Sequence, residues 1–130
     1  MSLLAAPWDV AAAAGADRRY AAVGDHPGGA AYAVATAVAF LAVGETYSYW
    51  VHRALHRVPA LARLHATHHA VGAPTPFAAF AFHPLDGYAQ GLYFHAFPFV
   101  VPVHRGAYAA FMAALSVWSI LAWVFITPRT

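Results

Sequence analysis

The amino-acid sequence predicts an all-α fold, an integral membrane bundle of about three helical spans with a histidine-rich helical cap on its cytoplasmic side. Composition supports this prediction, because 62% of the 130 residues are hydrophobic and 9% are charged. A typical soluble domain is roughly 45–50% apolar and about 25% charged. Three long stretches carry almost no charge, and a polar segment after the first of them holds five of the nine histidines. Lipid is therefore the expected environment of most of the chain.

Charge and cysteine content exclude several classes of function. Seven basic and five acidic residues give a formal net charge of +2, whereas a nucleic-acid surface needs basic residues clustered on one face. We therefore expect no DNA or RNA partner. Cysteine is absent, so a bound metal would take nitrogen or oxygen ligands. The N-terminus lacks a basic region followed by a sustained apolar core, and we expect no cleaved signal peptide.

The chain divides into a polar N-terminal segment, residues 1–27, and a membrane-embedded unit, residues 28–130. Proline, glycine and charged residues interrupt the first segment, where we expect a short surface helix around Val10–Tyr20. The second unit begins with Gly28–Val51, 24 residues with a single charge, which as a helix would be about 36 Å long. Such a helix can cross a hydrocarbon core of about 30 Å, so this is the first predicted span.

Glu45 lies near the end of that span, among aromatic residues of the kind found where a helix leaves the lipid. One interpretation is an interfacial carboxylate that reaches water. The other is a partner for His52, which lies seven residues further on and on the same face of the helix.

The polar segment that follows is divided by Pro59, which predicts that one helix ends near Arg57 and another begins at Pro59. Its histidines are spaced i, i+4 in the first helix and i, i+3, i+4 in the second, so each set lies on one face. Imidazole is a common ligand of first-row transition metals, and these spacings let rings converge on one ion. The predicted metal ligands are His52, His56, His65, His68 and His69.

Beyond the histidines, residues 70–82 hold two prolines and a glycine before a short apolar run. We expect a re-entrant or interfacial segment there, closed by a turn at His83–Asp86. Two further spans, joined by a tight hairpin at Arg105, are predicted at residues 87–103 and 106–127. The prolines of the first of these spans should kink or shorten it.

Arginine distribution predicts the orientation of the bundle. Three of the seven arginines lie between the first and second predicted spans, and positively charged residues favour the cytoplasmic side of a membrane. We therefore expect the histidine segment to face the cytoplasm. Arg18, Arg19 and Arg105 would lie on the opposite side, which weakens this orientation without reversing it.

An all-nitrogen ligand set favours iron, copper or zinc over calcium and magnesium, which take oxygen ligands. Five histidines exceed the three or four that one zinc ion needs, which leaves open two metals or one metal with polar residues around it. A buried metal beside apolar walls suits oxygen activation and attack on a carbon–hydrogen bond. Adventitious metal binding and a pH-sensitive interfacial segment are the simpler alternatives.

The motifs HRALH, at His52–His56, and HATHH, at His65–His69, resemble the histidine boxes HxxxH and HxxHH of the fatty acid hydroxylase and sterol desaturase superfamily. Its members are membrane oxidoreductases with a non-haem di-metal centre that use molecular oxygen. The segments ETYSYWVHR, APTPF, HPLD and PFVVPVH resemble in particular the sterol C-5 desaturase, or lathosterol oxidase, branch. The resemblance covers about residues 43–122.

This resemblance implies two iron ions bound by the five box histidines, with zinc as the alternative metal. It implies electrons from NAD(P)H, delivered by a b-type cytochrome or a ferredoxin, and a sterol or other lipid substrate that is desaturated or hydroxylated. His83 becomes a candidate auxiliary ligand or ligand-supporting residue, as does Glu45. Asp86 is expected to cap or orient its turn and is a further supporting candidate. His95 is a candidate to face the substrate.

Family members carry a third box, another HxxHH, after the last span, and here the corresponding sequence reads SVWSILAWVFITPRT. The sequence therefore predicts a desaturase- or hydroxylase-like domain that is C-terminally incomplete. Three functions stay open at this point. They are an oxidoreductase of this type, a catalytically dead membrane protein with a structural or partner-binding role, and a carotenoid or fatty acyl hydroxylase.

Overall fold

The structure, a computed structural model, describes residues 6–71, 75 and 78–126, including their side chains except those of Trp123 and Ile126. In this part of the chain, five helices follow one another: α1 Ala6–Ala13, α2 Gly29–Arg57, α3 Pro59–His69, α4 Pro84–Val100 and α5 Arg105–Ile126. Two short strands, β1 Arg19–Tyr20 and β2 Val103–His104, pair in parallel. Single 3-10 turns lie at Val23–Asp25 and Ala78–Phe80. The predicted all-α class is confirmed, and the small β pair was not predicted.

The N-terminal helix α1 lies earlier than the predicted Val10–Tyr20, which was wrong in its bounds. Gly15 has a φ of 78°, a left-handed conformation that ends a helix at low cost. The amide of Gly15 donates to the Ala12 carbonyl and that of Ala16 to the Ala11 carbonyl, each at 3.0 Å. This pair of bonds is the glycine-terminated helix end known as the Schellman motif.

Helix α2 is 29 residues long and carries the first histidine box on its last turns. It ends at Arg57 because Val58, the residue before Pro59, is extended with φ −93° and ψ 116°. Proline disfavours helical geometry in the residue that precedes it and is itself well placed to begin a helix. The predicted helix end and new start at Pro59 are confirmed.

Among the described residues, two helices are long and apolar enough to cross a membrane by length and composition, Gly29–Arg57 and residues Arg105–Ala122 of α5. Helix α4 has 17 residues and ends at Val100, since Val101 is extended before Pro102. The count of three spans stays a prediction. The predicted turn at His83–Asp86 was wrong, because Pro84 begins α4 and Asp86 lies in its first turn.

Pro98 lies inside α4 and has no N–H to donate to the carbonyl of Phe94, four residues earlier. The hydroxyl of Tyr108 on α5 donates to that carbonyl at 2.9 Å. The proline therefore removes one helical hydrogen bond, and a side chain from the neighbouring helix replaces it.

The core joins α2 to α4 and α5 through aromatic residues. Phe40, Tyr93, Phe97 and Val103 are buried together, and the Tyr93 hydroxyl donates to the Phe40 carbonyl at 2.7 Å. Gly44 lets the ring of Tyr93 approach α2, because a Cβ at this position would lie 3.0 Å from the ring. This packing holds α4 antiparallel to α2, so that the start of α4 lies beside the histidines at the end of α2.

Candidate metal centre

Four histidines from α2 and α3 converge in the structure. One ring nitrogen of each lies within 4.8 Å of one from every other member of the group His52, His56, His65 and His69. Pro59 makes this possible, because it separates the two helices and α3 packs back on the end of α2. The two i, i+4 pairs, His52 with His56 and His65 with His69, therefore bring their rings together as predicted.

The distances between these nitrogens fit a metal ion. The two Nε2 atoms of His52 and His56 are 3.1 Å apart, and those of His65 and His69 are 3.0 Å apart. Two nitrogens about 2.1 Å from one ion, at angles between a right angle and a tetrahedral angle, would be about 3.0–3.4 Å apart. An all-imidazole set with these separations suits a first-row transition metal.

Asp86 orients His65 from the other side of its ring. An Asp86 carboxylate oxygen lies 2.8 Å from Nδ1 of His65, and both side chains are almost fully buried. An ionised carboxylate only accepts hydrogen bonds, so Nδ1 carries the proton. The lone pair of a neutral ring is then at Nε2, which faces His69. A carboxylate behind a histidine is a recurrent arrangement at metal sites, where it fixes the ring and raises its basicity.

Gln90 lies one helical turn after Asp86 on α4 and was missed by the sequence analysis. Its side-chain amide nitrogen donates to the second carboxylate oxygen of Asp86 at 2.8 Å, so both oxygens of this buried carboxylate have a partner. The i, i+4 spacing from Asp86 was the signal that could have found it.

His68 is buried, and its ring stacks on Phe82 with centroids 4.3 Å apart. Its ring centre is 5.6 Å from those of His65 and His69, and it lies outside the group of four. Burial lowers the pKa of His68, and a hydrogen bond to the backbone of Ala81 partly opposes this shift. Its role as a fifth ligand stays a prediction.

Burial also lowers the pKa of His69, and positive charge on His65 or His56 lowers it further. A lowered pKa keeps a histidine neutral to a lower pH than usual, and the neutral ring is the form that binds metal. The surroundings of both His68 and His69 therefore favour the ligand form near neutral pH.

A sequence model described as fatty acid hydroxylase matches residues 37–129. The chain belongs to the fatty acid hydroxylase family. It is 40% identical over 106 residues to the lathosterol oxidase of Mus musculus, covering 82% of this chain and 36% of that protein. It is 37% identical over 121 residues to a Delta(7)-sterol 5(6)-desaturase of Leptosphaeria maculans, covering 93% and 34%. The chain thus spans about one third of the length of these relatives. No solved structure matches it.

Within this member of the fatty acid hydroxylase family, three other predicted site residues lie outside the histidine group. Glu45 is exposed on α2. His83 precedes α4, where its Nδ1 accepts from the amide of Leu85 at 3.3 Å. His95 lines a small cavity with Asp17 and Arg19 from the N-terminal segment. In the described part of the chain, the carboxylate that contacts a box histidine is that of Asp86.

Proposed function

We propose that this chain is part of a membrane sterol desaturase or hydroxylase in which the histidine cluster holds iron. The observation that carries the proposal is the convergence of four imidazole nitrogens within 4.8 Å. Membership of the fatty acid hydroxylase family supports it, as do relatives named as a lathosterol oxidase and a Delta(7)-sterol 5(6)-desaturase. The substrate class we propose is accordingly a sterol.

Bound iron would supply, with molecular oxygen, the oxidising power to remove hydrogen from a carbon that carries no activating group. The residues of this chain would bind the metal and orient its ligands. The four converging histidines hold the metal, and Asp86 keeps the proton of His65 on Nδ1. In the two-iron form of the proposal, His68 is the fifth ligand, and Glu45 supports a ligand.

The position of the cluster suits a substrate that arrives from lipid. It lies at the end of α2, a helix long and apolar enough to cross a membrane, and this helix exposes Val34, Val38 and Leu41. We propose that this end faces the cytoplasm, where a b-type cytochrome or a ferredoxin would deliver electrons from NAD(P)H. His95 lies two to three turns along α4 from Asp86, and we propose that it contacts the remote part of a long substrate.

A second candidate is a membrane protein that binds metal without turnover. The observation that favours it is that four nitrogens within 4.8 Å accommodate one ion, whereas the proposed reaction uses two. The metal-to-protein ratio separates the two candidates.

The test is purification in detergent, metal analysis, and turnover of lathosterol with oxygen and a reduced cytochrome or ferredoxin. The proposal expects two iron atoms per chain and oxygen-dependent loss of hydrogen from the sterol. Both should be lost in His65→Ala and retained in His26→Ala, whose histidine lies outside the cluster. One metal ion per chain and no turnover of any lipid would favour the second candidate. Turnover of a carotenoid or a fatty acyl lipid in place of the sterol would overturn the proposed substrate class.

A further inference from the structure

Helix α2 has an exposed stripe along which the residue type changes from apolar to aromatic to basic. Val43, Trp50 and Arg57 are spaced seven residues apart, which is about two helical turns, so they lie in line along the helix surface. All three are exposed, whereas Gly44 and Leu55 are buried on the side of α2 that packs into the bundle. Aromatic and then basic residues follow the apolar part where a membrane helix enters the headgroup region.

The spacing along α2 matches the layers of a bilayer. From Gly29 to Trp50 the helix rises about 32 Å, close to the thickness of a hydrocarbon core, about 30 Å. Beyond Trp50 it rises about 5 Å to Arg53 and about 10 Å to Arg57. The headgroups occupy about 5–8 Å on each side of the core. The two arginine side chains therefore begin at and just beyond the level of the lipid phosphates.

The aromatic pair Tyr49 and Trp50 holds the side chain of Arg53. One terminal guanidinium nitrogen of Arg53 donates to the Tyr49 hydroxyl at 2.6 Å. The guanidinium carbon lies 5.9 Å from the centre of the Tyr49 ring and 5.7 Å from that of Trp50. A guanidinium carries several N–H groups in one plane, so this bond leaves donors for a second group. Because the side chain is already oriented, it loses less conformational entropy when it binds a ligand.

The positive charge of the two arginines is not balanced within the region that the structure describes, where neither Arg53 nor Arg57 forms an ion pair with a carboxylate. Glu45, the nearest acidic residue along α2, precedes Arg53 by about 12 Å of helix axis. Asp86 on α4 is buried and hydrogen-bonded to His65. Two guanidinium groups one turn apart therefore offer an anion a site on one exposed face.

We propose that Arg53 and Arg57 bind the phosphate of an anionic phospholipid, with Tyr49 and Trp50 on the hydrocarbon side of the site. The planar fork of an arginine matches phosphate oxygens, which it binds through paired N–H groups. An acyl chain of the same lipid would continue along the exposed stripe past Val43. This site needs α2 to lie in a membrane and needs no bound metal.

An acidic protein surface is the other anionic partner that two arginines could bind. The aromatic pair favours the lipid, because the Tyr49 and Trp50 side chains are 55% and 60% exposed and such rings concentrate at the boundary between headgroups and hydrocarbon. Arg53 and Arg57 directly follow His52 in its box and the box's last residue in the chain. A lipid bound here would therefore set the depth of the histidine cluster in the membrane.

Native mass spectrometry tests this site. The protein, purified in detergent, is titrated with phosphatidylglycerol or with phosphatidylcholine of the same acyl chains, which gives the Kd of the first bound lipid. We expect tighter binding of phosphatidylglycerol. Its affinity should fall about fivefold for each arginine removed in Arg53→Gln and Arg57→Gln, and the double variant should lose the preference. Tyr49→Phe, which removes only the hydroxyl that orients Arg53, should give a smaller loss. Arg105→Gln, an exposed arginine at the start of α5, is the matched control and should keep the preference.

Equal affinity of the unchanged protein for the two lipids would overturn the inference, as would equal losses in Arg105→Gln and in the double variant. Undiminished phosphatidylglycerol affinity in the double variant, with loss of salt-dependent binding to polyglutamate, would assign the arginines to a protein partner and would also overturn it. None of these measurements involves metal, so a failure of the proposed function would leave their outcome unchanged.

Discussion

The box histidines and three histidines outside the boxes use their rings in opposite ways. His26, His83 and His104 each accept a hydrogen bond at Nδ1 from a backbone amide two or three residues further along the chain, at 3.1, 3.3 and 3.2 Å. In the cluster, Nε2 faces another histidine, and Nδ1 of His65 faces a buried carboxylate. The first arrangement is local and caps a turn. The second joins three helices and brings one ring nitrogen of each of four histidines within 4.8 Å of the others, as a metal site requires.

Spacing separates the histidines that cap a turn from the histidines that converge. A ring that caps needs only an amide two or three residues away, which any turn provides. A ring that converges needs a second ring on the same helix face and a partner behind it to fix the tautomer.

Removal of a converging ring should have the largest effect. His65→Ala removes a ligand and leaves Asp86 buried without its histidine partner, so we expect metal content to fall to background. Metal analysis of the purified protein measures this. His104→Ala, which removes a capping ring, should keep the full metal content, and equal losses in the two variants would contradict the assignment of different roles.

Replacement of the carboxylate should have the next largest effect. In Asp86→Asn, the single amide oxygen can accept from His65 or from Gln90 but not in the same way from both. We expect metal affinity to fall about 10–100-fold, as measured by competition with a chelator. The control is Asp25→Asn, an exposed carboxylate in the N-terminal segment, and its affinity should equal that of the unchanged protein.

A change in helix packing should weaken both stability and metal binding. A side chain at Gly44 would meet the ring of Tyr93, 3.0 Å from the new Cβ, and would displace α4 together with Asp86. We expect Gly44→Leu to destabilise the fold by about 1–3 kcal/mol, seen as a lower unfolding midpoint in detergent. Gly91→Ala has nothing within 4 Å of its new Cβ and should be as stable as the unchanged protein or more so.

The smallest effect is expected at His83, which was also a candidate auxiliary ligand. His83→Ala removes the side-chain acceptor at the start of α4 and should cost about 1 kcal/mol of stability. His83→Ser restores an acceptor of a type favoured at this position and should recover that loss. Metal content should be unchanged in both variants, and a loss of metal in His83→Ser would show that the ring is a ligand.

Local signals made part of this molecule predictable. The break at Pro59 and the histidine spacings depend on residues within one or two turns of each other, and both could be read directly from the sequence. The helix that contains the first predicted span continues past Val51 through His52 and ends at Arg57, where a helix end was predicted. The start of α4 was predicted as a turn, although Pro84 is well suited to a first helical position.

Contacts between distant segments could not be predicted from the sequence. The pairing of His65 with Asp86 joins residues 21 positions apart, and it depends on α4 packing against α2 through Phe40 and Tyr93. The bond of Gln90 to Asp86 is local to α4, but its place beside the histidines depends on the same packing. The bond from Tyr108 to the carbonyl freed by Pro98 likewise depends on how two helices meet, and neither residue signals it alone.

The most direct test of the central claim is X-ray absorption at the iron edge of the purified protein loaded with Fe²⁺. If the box histidines bind the metal, the spectrum should show nitrogen ligands at about 2.1 Å with the outer-shell scattering of several imidazole rings. That scattering should weaken in His52→Ala and persist in His104→Ala. A spectrum with oxygen ligands alone, identical in all three proteins, would contradict the account.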